Sequence, residues 1–306
     1  MSDTDLLEQL AAWVQGRFFG KYRGQVKAGL DHLVSHAKMD NNGASYHETG
    51  GTMYSHGICT LALCEAYSMT ADKELMKPAQ KAVDYIGYAQ DPVGGGWRYM
   101  PRQAGDTSVT GWQLAALRSA HLAYLRIPAT TLKGASKFLD SVQADGGAAY
   151  GYTTPGTGQA TTAIGLLAQV HFGWKEDNAA LKRGLEKIAE RGPSKSNMYY
   201  NYYATQLMHH RGGKEKEKWN TEIRKHLADC QETEGHETGS WFFTPGDHGA
   251  SRGGRLYCTA MATMILEVYY RHLPIHRKEA VAKELRTGWT GLFKSPSGTR
   301  ENPATE

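Results

Sequence analysis

The chain has 306 residues, of which 40% are hydrophobic and 22% charged, with a formal net charge of +4 at pH 7. These proportions fit a folded globule of one large domain or two smaller ones and argue against a disordered or fibrous chain. The basic residues are spread without a block, which argues against a nucleic-acid partner. No apolar run approaches a membrane span, and the N-terminus lacks the basic-then-apolar order of a secretory leader, so a cytoplasmic setting is expected.

Taken in chain order, residues 4–20 place Leu6, Leu7, Leu10, Trp13, Val14 and Phe18 at helical spacing, and 22–37 does the same with Val26, Leu30, Leu33 and Val34. A loop, DNNGASYHETGG, leads to an apolar helix over 53–69 and an amphipathic one over 72–89. The segment QDPVGGGWRYMPRQAGDTSVTGWQLAALRSAHLAYL follows. Its glycine-rich opening predicts a loop. Its second half predicts a helix buried on nearly every face, with Asp106, Thr107 or Ser108 as the cap. Further helices are predicted over 128–142, 158–172, 177–191, 198–211, 214–230 and 256–271, with a closing one over 275–288 and a loose tail near the end. The expected organisation is one domain over 1–292 and a tail over 293–306. Strand signals are absent. The four cysteines, Cys59, Cys64, Cys230 and Cys258, have no CxxC spacing and read as free thiols.

One pattern recurs. Gln90, Gly94 and Trp97 are matched by Gln143, Gly147 and Tyr150, and again by Gln231, Gly235 and Trp241. The apolar helices align on Leu63, Leu117, Leu167, Met208 and Met264. Each unit is therefore one amphipathic outer helix, one loop and one apolar inner helix, and such units must stack to bury the inner helices. Inner helices that are apolar all round want neighbours on both flanks, which a closed ring supplies. The reading is an all-α fold, an α/α toroid of about five to six hairpins. Loops before the inner helices are mostly long and those after them short, so the long loops share one rim with the inner-helix N-termini. Free N–H groups there would favour anions.

The Gln/Gly/Trp repeat resembles the QW repeat of the terpene cyclase and protein prenyltransferase superfamily, the squalene–hopene cyclase-like toroids, over roughly residues 24–272. The segment RLYCTAMATMILEVYYRHLPI is similar to the closing repeat of a bacterial, planctomycete-like branch. The resemblance implies the toroid fold and an isoprenoid or other apolar ligand at the barrel mouth. The family's chemistry does not follow. There is no Asp-x-Asp-Asp acid and no Asp-x-Cys zinc ligand. No Cys-x-x-Gln thioester site and no HExxH occur either. Neither a metal nor a cofactor is expected.

Candidate site residues each carry a structural alternative. Asp106 is a possible general acid or simply a helix cap. Asp247 and His248, in GDHGASRGGR, are a possible acid–base pair. Arg252 and Arg255 in the same glycine-rich stretch suit a phosphate or carboxylate, or are surface arginines of a flexible loop. Trp97, Tyr99 and Trp241 could line the mouth, or the tryptophans could pack at the loop base. Tyr199 and Tyr203 could face a cavity, although the helical spacing of Tyr199, Tyr200, Tyr202 and Tyr203 sends part of this run outward. His209 and His210 are neighbours and point apart, and His56 and His121 on apolar helices suit a core role. The leading reading is a protein that binds an isoprenoid-like or other apolar ligand at the long-loop mouth; the alternatives are a non-catalytic scaffold recognising a protein at the long-loop rim, and a glycan-active toroid.

Overall fold

A computed structural model describes residues 22–47, 52–243, 246–247 and 249–269. The helices expected over 4–20 and 275–288, and the tail, lie outside the described residues, as does His248. The described part of the protein is mostly helical. The helices are α1 (Arg23–His36), α2 (Met53–Thr70), α3 (Lys73–Ala89), α4 (Thr107–Leu122), α5 (Ala129–Ser141), α6 (Gln159–His171), α7 (Ala179–Arg191), α8 (Met198–Arg211), α9 (Gly213–Asp229) and α10 (Ala250–Glu267). None of them is long and apolar enough to cross a membrane. The periodicity of apolar residues placed most of these helices within two residues of their ends. The exception is α10, which starts earlier and kinks at Gly254, where φ is +57°.

The absence of strands is corrected. Two antiparallel hairpins are present: β1 (Lys38–Asp40) with β2 (Gly43–Ser45), and β3 (Gln143–Ala144) with β4 (Ala149–Tyr150). They are too short for an alternating pattern to be visible in sequence. A single bridge of Gln231 with Trp241 takes the place of the Gln143–Tyr150 pair in another unit, while Trp97 bridges forward to Asp106 at the start of α4. The extended pairing is thus part of the repeat.

The apolar helices α2, α4, α6, α8 and α10 pack side by side in that order, and α3, α5, α7 and α9 lie against them. Glycines permit the closest approaches: a Cβ on Gly57 would press on Gln113 and Trp112 of α4, and one on Gly111 would press on Ile164 of α6. The layer curves, because Trp112 on α4 reaches Tyr202 on α8 past the intervening α6, with stacked rings 5.4 Å apart.

One contact recurs on every apolar helix, in the first turn of four of them and beyond the kink in α10. A polar side chain bonds the backbone of the extended residue that enters the unit. Thr110 Oγ1 accepts from Trp97 N at 3.0 Å, Thr162 Oγ1 from Tyr150 N at 3.1 Å, and Thr259 Oγ1 from Trp241 N at 3.1 Å. On α8, Asn201 Oδ1 accepts from Ser194 N and Asn201 Nδ2 donates to Ser194 O, at 2.8 and 2.7 Å. On α2 the residue is His56. Its Nδ1 accepts from Tyr46 N at 3.3 Å while Nε2 meets the Ala82 carbonyl at 3.1 Å. His56, Thr110, Thr162 and Asn201 are each the fourth residue of their helix. Thr259 lies five positions past the Gly254 kink. This register differs by two residues from the leucine alignment in the third and fifth units, because hydrogen bonding and not side-chain size sets it.

His56 is wholly buried and burial pushes its pKa down to about 3. The free imidazole titrates near 6.5. The folded value is the lower one, so stability is fully present above about pH 6.5 and is lost as pH falls toward 3, because unfolding then takes up a proton. Denaturant melts should show stability falling by up to about 1.4 kcal/mol per pH unit in that window. His56→Asn should start about 2–4 kcal/mol less stable and lose most of that slope.

Candidate functional site

The long loops are laced over the N-termini of the apolar helices. Met53 N donates to Tyr99 O and Thr107 N to Tyr152 O, both at 2.9 Å, and Met198 N donates to Asp247 Oδ2 at 2.8 Å. Side chains take the next donors. Thr52 Oγ1 accepts from Tyr54 N, Asp106 Oδ1 from Val109 N and Asn197 Oδ1 from Tyr200 N. The free N–H groups expected to draw anions are therefore already used at α2, α4 and α8. Each loop caps a helix of the preceding unit, or its own, which satisfies buried donors without a ligand.

Behind these caps lies an aromatic cluster. Trp112 stacks on Tyr202 and meets Tyr203 edge-on at 5.9 Å, and Tyr199 meets Tyr203 edge-on at 5.2 Å. Trp112, Tyr202 and Tyr203 are buried, and Tyr199 donates its hydroxyl to Ser108 O at 3.3 Å. Burial holds the Tyr199 and Tyr203 hydroxyls well above their ordinary pKa, so both stay protonated. The two tyrosines expected at a cavity wall pack against each other and against Trp112 of α4. Tyr200 turns the other way, onto Trp219 of α9.

In front of the caps is a smaller group at the rim. Tyr99 and Tyr152, from consecutive long loops, touch through their hydroxyls at 2.7 Å, and both rings are partly exposed. The Arg98 guanidinium lies 5.4 Å from the Tyr99 ring centre and 5.8 Å from that of Tyr152, within cation–π range of both. Tyr54 on α2 approaches Tyr99 with ring centres 6.2 Å apart. Under them Asp106 is wholly buried, with Oδ2 3.8 Å from Arg98 Nε. That is too long for a hydrogen bond, and neither atom has another bonding partner among the described residues. Burial raises the Asp106 pKa against the pull of the Val109 N–H, the Tyr152 hydroxyl and Arg98. The sequence offered no charged neighbours to tune this carboxyl, and the tuning comes from burial instead.

The remaining candidates fall elsewhere. Trp97 is buried and donates Nε1–H to Ile86 O of α3 at 2.8 Å; Trp241 does the same to Leu227 O of α9 at 2.7 Å. Both anchor a loop base to an outer helix. Gln90 completes the first clasp by donating to Gly95 O and to Thr131 O of α5. Gly95, at φ +82°, passes so close to the Gly134 backbone that a Cβ would collide with it. Asp247 ties α8 to α10, since its Oδ1 accepts from Gly249 N and Ala250 N while Oδ2 takes Met198 N. Arg252 is exposed. Arg255 is held by Glu237 at 2.6 Å and by Ser240, with Phe242 beneath it, so no contact brings the two arginines together. His209 faces Tyr269 and His210 faces His171, as adjacent helical residues must. No group of three His, Cys, Asp or Glu that would hold a metal occurs among the described residues.

Sequence reasoning passed over Tyr54, Arg98 and Tyr152. Arg98 had one available signal. It follows the buried Trp97 on an extended segment, where successive side chains face opposite ways. Tyr54 and Tyr152 gave none, because their loops meet only in the folded protein.

Neither protein-family models nor curated proteins give a match to this sequence.

Trp97→Phe and Trp241→Phe should each cost about 2–4 kcal/mol in urea unfolding, because an outer-helix carbonyl loses its donor and the smaller ring leaves part of the buried site unfilled. The helical circular dichroism of both variants should be unchanged before the transition.

Proposed function

We propose that this protein is an α/α toroid of the terpene cyclase and prenyltransferase repeat type that serves as a non-catalytic scaffold, recognising a protein partner at its long-loop rim. The curvature of the apolar-helix layer and the clasps of Trp97 and Trp241 support the toroid. The observation that carries the scaffold is the packing of Trp112, Tyr202 and Tyr203. They occupy the space between α4 and α8 that an isoprenoid would need, while Tyr99 and Tyr152 stay exposed in front of them with Arg98. Tyrosine and arginine grouped on a rigid rim are the residues that dominate protein–protein recognition. Free thiols at Cys59, Cys64, Cys230 and Cys258 support a reducing, cytoplasmic setting.

A second reading rests on Asp106. A buried carboxyl with a raised pKa and an unbonded oxygen is suited to donate a proton to an apolar ligand at the mouth. A glycan-active version would need a second free carboxylate, and Asp247 is committed to three backbone donors.

The immobilised protein should retain specific proteins from a lysate of its native cells. Tyr99→Ala/Tyr152→Ala, with unchanged circular dichroism, should lose them. Native mass spectrometry of the wild-type protein should find no bound prenyl compound. A stoichiometric prenyl adduct, together with retention unaffected by the double substitution, would overturn the scaffold. Turnover of a prenyl substrate that disappears in Asp106→Asn, where the cap is kept, would establish the second reading.

A further inference from the structure

The arginine of the rim is built to receive something. Arg98 Nε has no hydrogen-bond partner among the described residues. It is shut away from solvent and forms a long ion pair with Asp106 Oδ2 at 3.8 Å, which holds the charge in place without a hydrogen bond. The Tyr99 and Tyr152 rings bracket the guanidinium, and their touching hydroxyls close that side. The side chain is nevertheless one-third exposed, at 33%. A planar cation held by two rings has given up most of its freedom in advance, so a ligand that bonds its outer edge meets little further ordering cost.

We infer that Arg98, between Tyr99 and Tyr152, is the anchor for a carboxylate of the protein partner, whether from an Asp or Glu side chain or from a terminal carboxyl group. The inference rests on the rim being a protein-binding surface. The geometry favours a carboxylate over a phosphate through the groups around Arg98. The terminal guanidinium nitrogens present a two-pronged edge that pairs with two oxygens of either anion, so the choice falls to the surrounding groups. One of the two touching tyrosine hydroxyls is spent on its neighbour and that of Tyr152 also acts on Asp106, so at most one O–H is left to add. The Asp106 carboxyl behind Arg98 also repels a dianion about twice as strongly as a monoanion at the same distance.

The test is an NMR titration of the arginine Nε–H resonances of the full-length protein. Sodium acetate is the carboxylate probe and inorganic phosphate the competing one, with sodium chloride matching the ionic strength. One Nε–H resonance should move saturably with acetate, and Arg98→Lys should remove that resonance and the saturable response. In Asp106→Asn the same resonance should saturate at about threefold lower acetate, because a nearby negative charge is gone. A response no different from sodium chloride, or saturation by phosphate at lower concentration than acetate, would overturn the inference. So would an acetate response that survives in Arg98→Lys at other resonances with the same midpoint. Partner capture in the same proteins separates the two claims. Capture that depends on Tyr99 and Tyr152 without an acetate response leaves the scaffold standing and removes the carboxylate anchor. Loss of both removes the surface itself.

Discussion

The whole arrangement depends on a small polar contact made five times. An apolar helix is entered from an extended segment whose backbone would be stranded in the interior. His56, Thr110, Thr162, Asn201 and Thr259 each supply the bond that this backbone lacks. A buried amide without a partner costs about 1–3 kcal/mol, so five such entries would otherwise consume much of the margin by which a domain is folded. The identity of the residue varies because the requirement is only an acceptor at the right height on the helix.

That contact also decides where the long loops go. Once an extended segment is pinned to its helix, the backbone before it must bend over the outer helices, where Trp97 and Trp241 hold it to the Ile86 and Leu227 carbonyls. The backbone after it must close over a neighbouring helix start, where the Tyr99 and Tyr152 carbonyls accept. Loops that elsewhere would be free to carry ligand-binding groups are here part of the joinery. This is why the expected anion sites at the N-termini of α2, α4 and α8 are occupied by protein.

The rim group of Tyr54, Arg98, Tyr99, Asp106 and Tyr152 follows from the same lacing. Tyr99 and Tyr152 belong to different units and meet because each loop caps the preceding apolar helix. Asp106 serves its helix as a cap through one oxygen, and its second oxygen is left facing Arg98. The helix cap and the contact with Arg98 therefore share one residue, and the raised pKa of Asp106 records the burial that the cap imposes.

Much of the helical pattern was legible in the sequence, because a 3.6-residue period of apolar side chains is local information. The Gln/Gly/Trp repeat was legible as well, and so was the cap at Asp106. The two short hairpins were not, since two or three residues cannot display an alternation. Nor was the register on His56, Thr110, Thr162, Asn201 and Thr259, because no rule of composition groups a histidine, three threonines and an asparagine. Tyr199 and Tyr203 were candidates for a cavity wall, but whether a ring lines a space or packs into it depends on Trp112, which lies on another helix. The meeting of Arg98 with Tyr152 belongs to the tertiary structure alone, since residues more than fifty positions apart become neighbours only when a loop from one unit is laid across the next.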